Sequence, residues 1–307
     1  MAENTAVLKS NTGGRIAWKV IAYALLTIFA FFMVFPFYFM IATSLVDNEL
    51  FTTSSTIIVF PTSQYFTLDN YVSVFTISMD PTANSGFLIF FTNTLVVALA
   101  STAVTVVTTL LAAFAFARLN FKGKDLLFMV ILATMMVPGE MMVLTNYKSA
   151  TTFGFQNTFS ALILVHGVAV FYIFYLRQTF QQIPNELYLA SKVDGYSDFQ
   201  YFTKVMAPLA SPTIITIVIL SVMGAWNSMI WPELIAPGDH PVLRNFGVNW
   251  NMRLVTNGIM NIFATQFRDN VPGRLAGSLV TSIPLFIMFA LFRKKIMTGV
   301  SRAGIKG

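Results

Sequence analysis

Few residues in this 307-residue sequence have the types and spacings that carry out bond chemistry. His166 and His240 are its two histidines, and neither belongs to an H-x-x-x-H or H-E-x-x-H arrangement, so the ligands of a metal-dependent intramembrane hydrolase are missing. His166 is expected as a hydrogen-bonded core residue instead. The sequence has no cysteine, which excludes disulfides, thiolate catalysis and any metal site built on thiolates. Gly123-Lys124 lacks both the earlier glycine and the following Ser or Thr of a G-x-x-x-x-G-K-[ST] loop, so the chain is not expected to hold the phosphates of ATP. No nucleophile–base constellation is visible either. The sequence reads as a non-enzyme with no metal and no cofactor of its own.

Composition explains why such groups are scarce. Hydrophobic residues make up 56% and charged residues 10%, against roughly 25% charged in a soluble domain, and the mean hydropathy is +0.69. This is a polytopic, all-α membrane protein. Apolar runs near the roughly 20 residues that cross a bilayer place six transmembrane helices at 18–42, 87–117, 126–144, 159–176, 208–231 and 275–292. They separate a polar N-terminus (1–17), a loop at 43–86, a polar stretch at 177–207, a stretch at 232–274 and a tail at 293–307. The first run exceeds the roughly 7–15 residues of a signal-peptide core and lacks an A-x-A-like exit, so it is expected to remain as a span, kinked at Pro36. A net charge of +6 suggests topological bias rather than nucleic-acid binding. With the N-terminus in the cytoplasm, only Lys148, Arg244, Arg253, Arg268 and Arg274 of the 19 Lys and Arg lie outside. Positive-inside asymmetry therefore places both termini and 177–207 in the cytoplasm, and 43–86 and 232–274 outside.

Polar groups inside spans are costly unless they face a partner or water. Glu140, after Val137-Pro138-Gly139, could line a solute path or sit at the membrane interface. Asn93 and Asn227 could tie helices together or meet hydroxyls of a solute, and Trp226 could stack on a solute face or mark the interface. The 31 Phe are expected to face lipid or pack between helices.

The main polar interruption is Arg177 to Pro212, RQTFQQIPNELYLASKVDGYSDFQYFTKVMAPLASP. Pro184 can open a helix where its missing N–H costs nothing, and NELYLASKV sets Leu187, Ala190 and Ser191 on one face. Gly195, after Asp194, suits a left-handed C-cap. Ser197 with Asp198 can then cap a second helix running through Phe199, Phe202 and Val205 into Pro208. Two short helices about a forced bend make a module too polar for lipid and too apolar for open water.

This stretch resembles the cytoplasmic loop of the permease subunits of binding-protein-dependent ABC importers, most closely the maltose-type carbohydrate permeases, which reads roughly E-L-x-E-A-A-x-x-D-G with a later apolar-Pro-Leu. Glu186, Leu187, Ala190, Asp194, Gly195, Pro208 and Leu209 fit it, whereas Leu189 stands where the family has Glu and Ser191 where it has the second Ala. If that Glu pairs with an Arg of the ATPase, the contact is either missing here or supplied by Glu186, one helical turn away. Phe60-Pro61 with Thr67-Leu-Asp-Asn-Tyr71, Asn93, FARLNFKG, MMVPGE, WNSMIWP and the terminal AGIKG are similar to the family too, so the resemblance runs from residue 60 to 307.

The resemblance implies a type I ABC importer permease fold with a five-helix core of spans two to six, in a bacterial or archaeal plasma membrane. It implies a second homologous permease as a heterodimer partner, two ATPase subunits holding ATP and Mg, and an extracytoplasmic solute-binding protein. Glu186, Leu187, Leu189, Ala190, Ser191, Asp194, Gly195 and Pro208 would couple to the ATPase. Asn93, Glu140, Trp226 and Asn227 would border the translocation path. The implied cargo is a mono- or oligosaccharide, with a polar solute such as a glycerol phosphate ester as the alternative. An ion-coupled secondary transporter is the rival from another class, and it would want paired intramembrane acids and a duplicated half that the sequence does not display. The 232–274 stretch is longer than the family's loop and is expected to add an external helix or hairpin.

Overall fold

The computed structural model describes residues 12–53, 66–76 and 86–304. The N-terminus up to residue 11, Phe60-Pro61 of the loop pattern and the last three residues of the tail lie outside the described residues. The fold is all-α. Its helices are α1 (Thr12–Ser44), α2 (Asn48–Thr53), α3 (Asp69–Thr76), α4 (Phe87–Arg118), α5 (Lys124–Ala133), α6 (Gly139–Thr152), α7 (Phe159–Leu164) and α8 (Val170–Gln181). They continue as α9 (Asn185–Val193), α10 (Asp198–Tyr201), α11 (Ala207–Leu209), α12 (Ser211–Trp226), α13 (Ile230–Ile235), α14 (Pro241–Asn245), α15 (Val255–Thr265) and α16 (Val271–Gly304). Among the described residues, β structure amounts to two isolated bridges, Val46 with Phe66 and Asp239 with Asn251.

The chain forms two compact units, Met1–Val72 with Asp269–Leu279, and Ser73–Arg268 with Val280–Gly307. In the first, α1 is apolar all round and exposes Trp18, Phe29 and Phe32, as a helix with lipid for solvent does. Pro36 lies inside it without ending it. Its end is pinned locally, because the buried Asn70 amide donates to the carbonyls of Ser44 (3.0 Å) and Val46 (2.8 Å).

The second unit is built around α4, which packs along its length against α8 and α12. The reason is visible in its sequence: Ala98, Ser101, Thr102, Thr105, Thr109 and Ala113 form a buried stripe of small side chains at helical spacing, which lets backbones approach. One end closes on an aromatic-rich core of Phe114, Leu176, Phe180, Tyr201, Phe202 and Met206.

Among the described residues, three helices are long and apolar enough to cross a bilayer: Trp18–Ser44, Phe87–Arg118 and Val271–Lys295. Two bent pairs qualify together, Lys124–Met136 with Gly139–Thr152 at 99° and Asp198–Leu209 with Ser211–Trp226 at 79°. The first bend falls at Val137-Pro138, since proline supplies no N–H and drives the preceding residue to extended backbone (Val137 φ −86°, ψ 116°). The second falls at Ala210, between Pro208 and Pro212. Residues 159–176, expected as one span, form two shorter helices, α7 and α8, separated by 165–169. The break frees the carbonyls of His166 and Gly167, and Thr105 (3.2 Å) and Thr108 (2.7 Å) of α4 donate to them. Irregular backbone at membrane depth is stable only when buried hydroxyls or water replace the lost ladder.

Candidate functional site

The elbow after α8 is α9, a left-handed Gly195 and α10. Gly195 has φ +79°, and no atom lies within 4 Å of where a Cβ would stand, so its glycine is required by the backbone and not by crowding. The N–H of Gly195 donates to Lys192 O (3.1 Å) and that of Tyr196 to Ser191 O (2.9 Å), which closes the end of α9. Ser197 caps α10 together with Gln200: the Gln200 N–H donates to Ser197 Oγ (3.2 Å) and the Ser197 N–H to Gln200 Oε1 (2.8 Å). That reciprocal pair is a capping box.

Of the face that carries Leu187, Ala190 and Ser191, Ser191 is buried and the other two are exposed. Beside it, the ring of Tyr188 packs edge-on against the fully buried Tyr201 at 5.0 Å. The second helix runs as expected through Phe199, Phe202 and Val205 to Pro208, with a π-helical turn over Phe202–Met206. Proline cannot donate to the preceding turn, and a widened turn accommodates that.

Asp198 is the hub of the elbow. Its Oδ1 accepts from Lys192 Nζ at 2.7 Å and from the Tyr188 hydroxyl at 2.8 Å, joining α9 to α10 across Gly195. The hydrogen bonds from Lys192 and Tyr188 hold the Asp198 carboxyl below its ordinary value. The same carboxylate raises Lys192 and, first among several causes, Tyr188. Braced from behind, α9 turns Glu186, Leu189 and Val193 outward on one stripe, with Leu189 56% and Val193 88% exposed. Leu189, where the motif has Glu, therefore presents an apolar contact. Pro208 lies at the end of the elbow, just before the bend into α12.

Each of the four residues expected at the translocation path has its own surroundings. Asn93 is buried and donates to the carbonyls of Asn251 (2.7 Å) and Arg253 (3.0 Å) while accepting from Trp250 Nε1 (2.9 Å), so it ties α4 to the segment before α15. Trp226 is buried and donates to Thr281 O (3.2 Å). Asn227 is exposed, and its amide donates back to Met223 O (3.0 Å). Glu140 is exposed in the first turn of α6. His166, expected as a core residue, is exposed; it accepts through its carbonyl, and its ring lies 5.7 Å from that of Trp231. Sequence reasoning passed over Trp250, Thr94 and Tyr188, each a partner of something far along the chain or across a turn. The one available signal was an indole in an otherwise polar stretch.

The part of the 232–274 stretch that lies in the second unit, residues 232–268, folds onto α4. The N–H of Val255 donates to Thr94 Oγ1 (2.7 Å), Thr256 donates to Ser228 O (2.8 Å), and Gly258 lies against Phe90 so closely that a Cβ there would overlap the ring.

Residues 105–296 match the family described as binding-protein-dependent transport system inner membrane component. The arabinooligosaccharides transport system permease protein AraQ of Halalkalibacterium halodurans is 27% identical, covering 98% of this chain and 100% of that protein. The inner membrane ABC transporter permease protein YcjP of Escherichia coli is 30% identical (96% and 99% covered), and the trehalose/maltose transport system permease protein MalG of Thermococcus litoralis is also 30% identical (91% and 93% covered). A chain of a solved bacterial ABC transporter involved in the import of the acidic polysaccharide alginate superposes with a TM-score of 0.74 at 18% identity, covering 92% of this chain and 97% of that one, a likeness of fold. With the family matched over more than half its length and relatives matched nearly end to end, the chain belongs to the binding-protein-dependent transport system inner membrane components.

Proposed function

We propose that this chain is a permease subunit of an ABC importer that takes up a mono- or oligosaccharide. It works beside a second related permease, two ATPase subunits that bind ATP and Mg, and an extracytoplasmic binding protein that delivers the cargo. It crosses a bacterial or archaeal plasma membrane several times, with both termini in the cytoplasm. The observation that carries this is the outward stripe Glu186, Leu189 and Val193 on a helix joined to its successor through Asp198. An exposed, largely apolar stripe on such a helix fits a cleft in a peripheral subunit. Movement of that subunit would pass through α10, Pro208 and the bend at Ala210 into α12, a wall of the bundle. The carbohydrate assignment draws on relatives whose names specify arabinooligosaccharides, trehalose/maltose and lactose. Nucleotide need shift the states by only a few kcal/mol to drive the cycle.

The test is mass spectrometry of the intact complex purified from native membranes in mild detergent, beside the same preparation carrying Gly195→Trp, which strains the left-handed position. A second permease and two ATPase copies are expected, with the ATPases lost from the variant. A chain recovered alone or as a homodimer, and indifferent to the substitution, would overturn the importer assignment.

A further inference from the structure

The break between α7 and α8 opens a cavity of about 300 Å³ inside this chain's own bundle, walled by α4, the 165–169 segment, α12 and the start of α13. Its lining is unusual for a membrane interior in two respects. It is rich in hydroxyls, with Ser101, Thr102 and Thr105 from α4 and Ser228 from the turn after α12, yet it contains no Asp, Glu, Lys or Arg. Ser101 donates to Val97 O (2.6 Å) and Thr105 to His166 O (3.2 Å), but the buried Thr102 hydroxyl has no hydrogen-bond partner. A buried hydroxyl left unpaired is a standing cost that an incoming hydroxyl can relieve. On the other wall, the Trp231 ring is fixed by its Nε1 donating to Ala161 O (3.1 Å) and meets the His166 ring at 69°. Aromatic carbon beside scattered hydroxyls matches a sugar, which offers C–H faces and O–H edges together.

We propose that this cavity is a cargo subsite that takes one neutral sugar ring within this single chain. The inference rests on the importer reading and narrows its substrate class. Apart from the His166 imidazole, no lining group offers an ionised cargo a counter-charge for its lost hydration, so phosphate esters and uronic acids are disfavoured. The volume lies at the low end for small-molecule sites and suits one ring of a longer cargo. Gly224 lines the same cavity, and nothing lies within 4 Å of where its Cβ would stand, so a larger side chain there enters the space without displacing backbone.

The experiment uses the assembled permease–ATPase complex in nanodiscs, without the binding protein, and measures equilibrium binding of labelled arabinose, glucose and maltose. Glucuronate and glycerol 3-phosphate serve as charged competitors. Saturable binding of a neutral sugar, competed by neutral sugars and not by the charged pair, is expected. Gly224→Leu, which fills the cavity, and Thr102→Val, which removes the hydroxyl at constant shape, should each weaken it tenfold or more while the ATPase stays in the complex. An intact complex that binds no neutral sugar, binds glucuronate equally well, or is unmoved by both substitutions would overturn the subsite and leave the importer reading standing. A chain that never assembles with an ATPase would overturn both.

Discussion

Arg118 and Arg177 hold the ends of each other's helices. Arg118, the last residue of α4, donates to the carbonyls of Phe180 (3.1 Å) and Ile183 at the end of α8, while Arg177 of α8 donates through Nε to Phe116 O (3.1 Å) near the end of α4. Each cation sits at the C-terminal carbonyls of the partner helix, the negative end of its dipole. Arg177 also lies 4.0 Å from the centre of the Phe128 ring and 3.9 Å from Asp125. The elbow thus grows from a clamped base. Arg177→Ala should cost about 1.5–3 kcal/mol, the range for a hydrogen bond to a charged group. Arg177→Lys should recover part of it, since lysine keeps the charge and loses the planar fork. Thermal unfolding in detergent, followed by tryptophan fluorescence, separates the three proteins, and equal transitions would refute the clamp.

Asn93 makes the second prediction. Its amide uses both functions, donating twice to backbone and accepting from Trp250, and it is 1% exposed. Asn93→Leu leaves the Asn251 and Arg253 carbonyls and the Trp250 indole without that partner, at about 1–3 kcal/mol for a buried group left unsatisfied. Because the lost bonds anchor the segment before α15, limited proteolysis should now cut near Trp250. A variant as resistant as the parent would show that Val255 and Thr256 alone secure the segment.

Gly258 and Gly195 should answer alanine differently. At Gly258 a Cβ would overlap the ring of Phe90, itself fully buried, so Gly258→Ala overpacks a closed core at about 1–3 kcal/mol. At Gly195 the space is open and the cost of alanine is the left-handed backbone alone, roughly 1–2 kcal/mol. Phe90→Leu should therefore rescue Gly258→Ala in thermal unfolding and do nothing for Gly195→Ala. Rescue of both, or of neither, would refute the distinction.

The elements visible in the sequence are those governed by local rules. Long apolar runs became α1, α4 and α16, and Asp194-Gly195 with Ser197 marked the elbow because caps and left-handed turns depend on neighbouring residues. The break at 165–169 was hidden, since an apolar composition fits a continuous helix equally well and the stabilising donors, Thr105 and Thr108, lie about sixty residues earlier. Asn93 was hidden for the same reason: its partners are 157 to 160 residues away, and an asparagine in a span looks alike whether it meets a solute or a backbone. The packing of Tyr188 on Tyr201 was hidden too, a contact across the bend that spacing within the helix cannot express.

The Lys192–Asp198 pair yields a prediction about conditions. Asp198 is depressed by its bonds from Lys192 and Tyr188, so its contribution is complete above the ordinary aspartate pKa of about 4 and lost as pH falls through the lower folded value. Lys192 is raised by Asp198, so its contribution is complete below the ordinary lysine pKa of about 10.4 and lost as pH rises through the higher folded value. Between these limits the elbow should be indifferent to pH. Salt is another matter, because the side chains are 36% and 45% exposed and such pairs are weakened by screening. In a double-mutant cycle of Lys192→Met and Asp198→Asn, the interaction should be small near neutrality, constant from about pH 6 to 9, and absent at about 1 M salt, where the screening length is near 3 Å. Tyr188→Phe should weaken it further, since that hydroxyl orients the carboxylate, while leaving the ring on Tyr201 in place. An interaction that survives high salt would mean that the pair is shielded, and the natural shield for this exposed elbow is a subunit docked over it.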